Sequence, residues 1–184
     1  MDKKRTFKIG FVLFFVCAIS ALTLAGLNTA LSGKRKNNEK KKIDEAINNI
    51  AGEYENYIVE DIEYEKEDDA VKAFASIVKK YTISFANKKN MVVYMVEGKN
   101  SFGDASIMVG IENNVISKVE IVSFSQTSSG GIIKALPNEY VGKSVDTEIL
   151  TNSYIKDNYT GGTRGSIMMN LMMTLVIEYE GGSN

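Results

Sequence analysis

The sequence has no histidine, no tryptophan and one cysteine among its 184 residues. Without histidine, the chain cannot form Ser-His or Cys-His nucleophile pairs or imidazole metal sites. Its single thiol, Cys17, also excludes an iron–sulfur cluster ligated by this chain alone, because such clusters use several cysteines. Redox chemistry in this protein would therefore need an organic cofactor. A metal site built from carboxylates alone stays open, but no spacing of the acidic residues specifies one.

Charge is absent from residues 9–33, and residues 9–31 are mostly apolar. A helix of about 20 such residues spans the hydrocarbon core of a bilayer. A cleaved signal peptide is the competing interpretation, but its apolar region is usually about 7–15 residues. We therefore predict a basic N-terminal segment at 1–8, an uncleaved transmembrane helix at 9–31 and a basic, helical linker at 32–52. Basic residues flank the span on both sides, so the positive-inside rule does not give its orientation.

The remaining residues, 53–184, are enough for one domain with one core. Turn residues separate segments rich in β-branched and aromatic residues, which predict strands at 57–64, 80–86, 91–97, 105–111 and 115–124. Between the first two strands we predict an acidic turn at 65–69 and a short helix at 70–78. Asn113-Asn114 predicts a hairpin turn.

Residues 166–179 are apolar nearly all round, which predicts a buried core helix. A methionine-rich groove for a partner is the alternative interpretation of that segment. The expected fold class is α+β, with a mostly antiparallel sheet packed against a C-terminal helix and one N-terminal transmembrane helix.

Ten residues, Asp157 to Ser166, lead into this last apolar segment with the sequence DNYTGGTRGS. A hydroxyl on a glycine-bounded turn directly before a helix suits phosphate. Glycines let the backbone come close, and free amides at a helix start favour an anion. The string Thr-Gly-Gly-Thr by itself is usually only a turn.

The spacing Asp157-x-x-Thr160-Gly161-Gly162-Thr163 also resembles the flavin-attachment motif Asp-x-x-Ser/Thr-Gly-Ala-Thr/Ser of FMN-binding domains. These domains occur in the G subunit of Rnf-type ion-translocating electron-transport complexes and in the C subunit of sodium-translocating NADH:quinone oxidoreductases. The length of the chain fits the Rnf-type subunit better. The preceding strand pair and the single N-terminal span also resemble this family.

The segment from residue 124 to residue 131 stands in the place of the family's His-x-Glu-Thr-Pro-Gly-x-Gly loop. The chain departs from the family pattern at several positions. Gly162 replaces alanine, Gly165 stands where many members have a hydroxyl, Gln126 replaces glutamate, and Ser128-Ser129 replace Pro-Gly. We expect Ser166 to supply the missing hydroxyl as a helix cap.

The resemblance implies that Thr163 carries FMN through a phosphoester bond made by a flavin transferase that uses FAD. The other residues that it implies at the cofactor are Asp157, Thr160, Gly161, Gly162, Arg164, Ser166, Gln126, Thr127 and Gly131. Other roles stay open: a turn-forming residue for Asp157, a solvated surface residue for Arg164, and a polar hairpin turn for Gln126 and Thr127.

The resemblance further implies a single-pass protein of the cell membrane with its C-terminal domain outside the cytoplasm. On this reading it is an electron-carrier subunit of an ion-translocating complex, and the other subunits are its partners. No Gly-x-Gly-x-x-Gly follows a strand, so no nicotinamide site is expected, and no nucleic-acid partner is expected either. The alternatives are a stand-alone membrane-anchored flavoprotein for extracytoplasmic electron transfer and an anchored binding module without flavin.

Overall fold

The structure is a computed structural model that describes the backbone of residues 3–87, 89–127 and 130–182. Within these ranges it describes the side chains from residue 11 onward, except that of residue 30. The helices are α1 (Lys3–Ala51), α2 (Gly130–Ala135), a 3-10 helix (Leu136–Glu139), α3 (Asn152–Asn158) and α4 (Thr163–Gly181). The strands are β1 (Asn56–Asp68), β2 (Ala73–Ser84), β3 (Met91–Asn100), β4 (Gly103–Glu112) and β5 (Val115–Phe124).

The chain divides into two compact units, Met1–Lys42 and Ile43–Asn184, and the division falls inside the predicted linker. In the described part of the chain, α1 is the one helix long and apolar enough to cross a membrane. Its large apolar side chains are exposed, as with Leu22 at 72%. The hydroxyls of Ser20, Thr23 and Thr29 donate to the carbonyl four residues earlier. These polar groups are thus satisfied within the helix, as a bilayer requires.

The five strands form one antiparallel sheet in the order β1-β2-β3-β4-β5. Strands that are consecutive in the sequence are therefore neighbours in the sheet, and the predicted α+β class is confirmed. The hairpin predicted at Asn113-Asn114 joins β4 to β5. Both residues have positive φ angles, 52° and 66°, which are typical of a two-residue type I′ turn.

The sequence prediction is wrong between residues 65 and 78. Residues 65–68, three of which are acidic, continue β1 and do not form the predicted turn, and the predicted helix at 70–78 is replaced by a turn and the first half of β2. The strand prediction at 80–86 found only the second half of β2, because an irregularity between Ile77 and Lys79 interrupts the alternation. Pairing of β2 with a strand on each side outweighs the short helical pattern.

Both faces of the sheet carry a core. On one face α4 packs against residues such as Ala75, Val96 and Ile107, and its side chains are buried continuously from residue 165 to residue 177. This confirms the buried core helix. On the other face, Ile47 and Ile50 of the last turns of α1 pack with apolar residues of β2, β3 and β4. The helix α1 ends at Ala51, and the next residue, Gly52, has a φ of 72° and donates its amide to Asn48 O at 2.9 Å.

Candidate functional site

The site is built around the first turn of α4. The helix begins at Thr163 with Gly162 as its N-cap, and no side chain caps it. The Ser166 amide donates to Gly162 O at 2.9 Å, so Ser166 lies inside the helix and is not the cap that we expected. The amides of Thr163, Arg164 and Gly165 have no hydrogen-bond partner among the described residues. Free amides of this kind, together with the helix dipole, attract an anion.

The turn before α4 is anchored by Tyr159. Its amide donates to Ile155 O at 2.9 Å, its carbonyl accepts from the Gly162 amide at 3.2 Å, and its ring is buried. Its hydroxyl donates to Glu139 Oε1 at 3.1 Å. Burial, together with the hydrogen bond to Glu139, raises the pKa of Tyr159 to about 12. Gly161 has a φ of 86°, a conformation that other residues rarely adopt.

Thr163 is half-buried, and its hydroxyl donates to Tyr159 O at 3.3 Å, which is a long hydrogen bond. The Thr163 hydroxyl is therefore held only by a weak hydrogen bond. Beside it is a pocket of ≈ 260 Å³. The residues that line this pocket, which we call the α4 pocket, are Phe102, Gln126, Gly161, Gly162, Thr163, Arg164 and Gly165.

Gln126 reaches the α4 pocket from the segment after β5. Its Nε2 donates to Gly103 O and lies 3.7 Å from Met168 Sδ. Its Oε1 is buried and has no partner among the described residues, and the same is true of Ser166 Oγ in the first turn of α4. A buried oxygen without a partner costs about 1–3 kcal/mol. Gln126 lines the α4 pocket, so its Oε1 can accept a hydrogen bond from a ligand there, whereas Ser166 is fully buried and does not line the pocket.

The turn between β3 and β4 supplies a wall of the pocket that the sequence analysis did not predict. The buried Asn100 accepts from the Phe102 amide at 2.8 Å and donates to Arg164 O at 3.3 Å. The guanidinium carbon of Arg164 lies 5.6 Å from the centre of the Phe102 ring. Phenylalanine is an unusual residue for a tight turn, and this was the available signal in the sequence.

Five predicted site residues do not line the α4 pocket, and one of them is Ser166, which is fully buried in the first turn of α4. Asp157 and Thr160 are exposed, and Asp157 lies in the last turn of α3. Thr127 is exposed, and its amide donates to Phe102 O at 3.1 Å. Gly131 is exposed in α2, with open space where a side chain would extend. Residues 128 and 129 of the predicted loop lie outside the described residues.

The donor set of the α4 pocket fits a phosphate ester on Thr163. It combines a weakly held hydroxyl, the free amides of a 19-residue helix and an exposed arginine. It does not resemble a metal site, because no group of three Asp, Glu or Cys residues converges in the described part of the chain. No protein-family model matches this chain, and no curated protein matches it.

Proposed function

We propose that this protein is an electron-carrier subunit that holds FMN through a phosphoester bond to Thr163. The observation that carries the proposal is that Gln126 and Thr163, which are far apart in the sequence, line the same pocket at the start of α4. The resemblance to FMN-binding domains implied both residues at the cofactor independently of any structure.

For attachment, Thr163 Oγ1 forms a bond to the phosphorus of the FMN half of FAD. The pyrophosphate bond breaks, AMP leaves with the bridging oxygen, and the hydroxyl loses its proton. No electron is transferred in this step. Asp157 and Thr160 are exposed close to Thr163 along the chain, where an attaching enzyme can contact them. This exposure supports a role for these two residues in recognition by a flavin transferase.

Once the ester is made, the chain neutralises its charge. The amides of Arg164 and Gly165 would donate to the phosphate, the dipole of α4 would favour its negative charge, and the Arg164 side chain would be able to pair with it. Gln126 Oε1 would accept a hydrogen bond from a donor on the cofactor. FMN supplies one- and two-electron chemistry, and a covalent bond retains it in a carrier that passes electrons between partners.

We further propose that α1 anchors the carrier in the cell membrane with the C-terminal domain outside the cytoplasm. The length and apolar composition of α1 support the anchor. The partners would be the other subunits of an Rnf-type complex that couples electron flow to ion transport. A stand-alone carrier with the same anchor would use the same site, and co-purification of multi-span subunits with the chain distinguishes the two.

The test of the proposal is the intact mass of the full-length protein co-produced with a flavin transferase. We expect a gain of one FMN less one water, mapped to the peptide that holds Thr163, and fluorescence that survives denaturation. Thr163→Ala should abolish the gain, and Thr163→Ser should retain it. Thr147→Ala is the matched control, because Thr147 is also half-buried but lies outside the α4 pocket. An unmodified mass without fluorescence would overturn the proposal and support the flavin-less binding module.

The side of the membrane is tested by labelling single cysteines in intact cells. The native thiol is removed as Cys17→Ala, and a new one is introduced at the exposed Asn138 as Asn138→Cys. We expect a membrane-impermeant thiol reagent to label this variant without cell lysis. A second variant, Asp2→Cys, should react only after lysis. The opposite pattern would place the domain in the cytoplasm.

A further inference from the structure

Phe102 lies in the two-residue turn between β3 and β4 and lines the α4 pocket with 37% of its surface exposed. Aromatic side chains usually contribute to cores and interfaces, whereas tight turns are usually formed by glycine, asparagine, aspartate or serine. The packing of the core does not account for an aromatic ring at this position.

The position of Phe102 is fixed by the hydrogen bonds around it. The Phe102 amide donates to Asn100 Oδ1 at 2.8 Å, and the Phe102 carbonyl accepts from the Thr127 amide at 3.1 Å. Gly103, the next residue, accepts from Gln126 Nε2. A side chain at Gly103 would contact Ser125 O at 2.5 Å, so the turn and the segment after β5 can approach each other only with glycine here. The ring is therefore held beside the pocket by a rigid turn.

The turn is also tied to the first turn of α4. Asn100 Nδ2 donates to the Arg164 carbonyl at 3.3 Å, and the Arg164 guanidinium lies 5.6 Å from the Phe102 ring centre. The ring thus already contacts a planar cation beside the pocket. Such a ring can also pack against a flat heteroaromatic group, in the offset or edge-on geometry that aromatic pairs prefer.

We propose that Phe102 is the surface against which the aromatic ring system of the ligand held at Thr163 packs. This inference rests on the proposed function, since it requires a ligand with both a phosphate and a planar ring. It adds a binding residue that belongs to neither the attachment turn nor the loop after β5.

The experiment uses the absence of tryptophan from the chain. Tryptophan and tyrosine in contact with an excited flavin quench its emission by electron transfer, whereas phenylalanine and aliphatic side chains do so poorly. We compare Phe102→Trp and Phe102→Tyr in the full-length chain co-produced with a flavin transferase. The matched control is Ile58→Trp, at a residue of β1 that is 63% exposed. Ile58 pairs with Thr82 of β2, and Thr82 pairs with Val92 of β3. Val92 is eight residues from Asn100 along β3, which is about 26 Å at 3.3 Å per residue. A tryptophan at position 58 is therefore far from the α4 pocket.

We expect every variant to show the adduct mass. The flavin emission and its lifetime should fall severalfold in Phe102→Trp and Phe102→Tyr, relative to Ile58→Trp and to the unsubstituted chain. Equal emission from all adducts would overturn the inference and leave the proposed function intact. Loss of the adduct in both aromatic variants, with the control still modified, would also overturn it, because a packing surface accepts other aromatic rings. An unmodified mass for the unsubstituted chain would overturn the inference and the proposed function together.

Discussion

Gly165 of α4 packs directly against Ile133 of α2. A methyl group at Gly165 would overlap Ile133 Cδ1, lie 2.9 Å from Ile133 Cγ1 and lie 3.3 Å from Gln126 Oε1. The absence of a side chain at this one position lets both α2 and Gln126 approach the first turn of α4. The glycine at this position therefore has a structural reason.

Gly165→Ala should destabilise the domain by about 1–3 kcal/mol, the usual range for overpacking, because Ile133 is buried and cannot move away freely. Thermal and denaturant unfolding of the full-length chain in detergent measures the change. Gly131→Ala is the control, since nothing lies within 4 Å of a methyl group there. That change should be neutral or stabilise α2 slightly, because alanine is the better helix former. Equal effects of the two substitutions would contradict the packing argument.

A buried polar network links α4 to the segment that precedes α3. The Tyr140 hydroxyl donates to Asn170 Oδ1 at 2.5 Å and accepts from the Leu150 amide at 3.0 Å. Asn170 Nδ2 in turn donates to Leu150 O at 2.9 Å. The polar residue that interrupts the apolar run of α4 therefore has its side-chain groups satisfied.

Tyr140→Phe should cost about 1–3 kcal/mol of unfolding free energy, because it leaves the Leu150 amide and Asn170 Oδ1 without their partner. Tyr154→Phe is the matched control, since Tyr154 is 39% exposed and its hydroxyl makes no hydrogen bond to a described residue. We expect the control to change stability by less than about 0.5 kcal/mol. Denaturant midpoints of the two variants give the comparison. An unchanged midpoint for Tyr140→Phe would show that the Tyr140 hydroxyl does not make the hydrogen bonds described.

The sequence predicts long regular elements better than short ones. The apolar run of α4, the helix that ends before Gly52 and the strands with clear alternation are all found where their patterns indicated. The helices α2 and α3 are only 6 and 7 residues long, too short for a periodic pattern to separate them from loops. The first half of β2 was wrongly predicted as a helix, because it forms a strand by pairing with β1 and β3, and a local sequence pattern does not show such pairing.

The candidate site was predicted from the sequence in part. Gly161, Gly162, Thr163, Arg164 and Gln126 all line the α4 pocket. Phe102 and Asn100 were missed because their place in the site depends on the β3–β4 turn folding back onto α4, which no local pattern encodes.

The β4–β5 turn gives a test of backbone conformation. Asn113 has a φ of 52°, and glycine adopts such angles without the strain that other residues incur. Asn113→Gly should therefore be neutral or stabilising, whereas Asn113→Val should destabilise by about 1–2 kcal/mol. Thermal unfolding of the two variants checks this prediction. A stabilising valine would show that the turn adopts a different conformation.

The pH dependence of stability gives a test of the environment of Tyr159. A tyrosine in the unfolded chain loses its proton near pH 10, whereas the pKa of Tyr159 in the folded protein is raised to about 12. Between these values the unfolded chain releases the proton and the folded chain retains it. The stabilisation from this group is therefore complete below about pH 10 and is lost as the pH rises towards 12. The pKa of Tyr81 is also raised to about 12, so Tyr81 likewise stabilises the folded protein below about pH 10 and loses that contribution as the pH rises towards 12.

Denaturant unfolding at closely spaced pH values between 9 and 12 should show the midpoint falling across that window. Tyr159→Phe removes one of the tyrosines with a raised pKa, so the midpoint of this variant should fall less steeply, and that of a double variant with Tyr81→Phe should fall less steeply again. Glu139→Gln removes the nearby charge that helps to raise the pKa of Tyr159 in the folded protein, so the loss of stability from Tyr159 should be smaller and should end at a lower pH than in the unsubstituted chain. Identical slopes for Tyr159→Phe and the unsubstituted chain would show that the hydroxyl is not held as the structure describes.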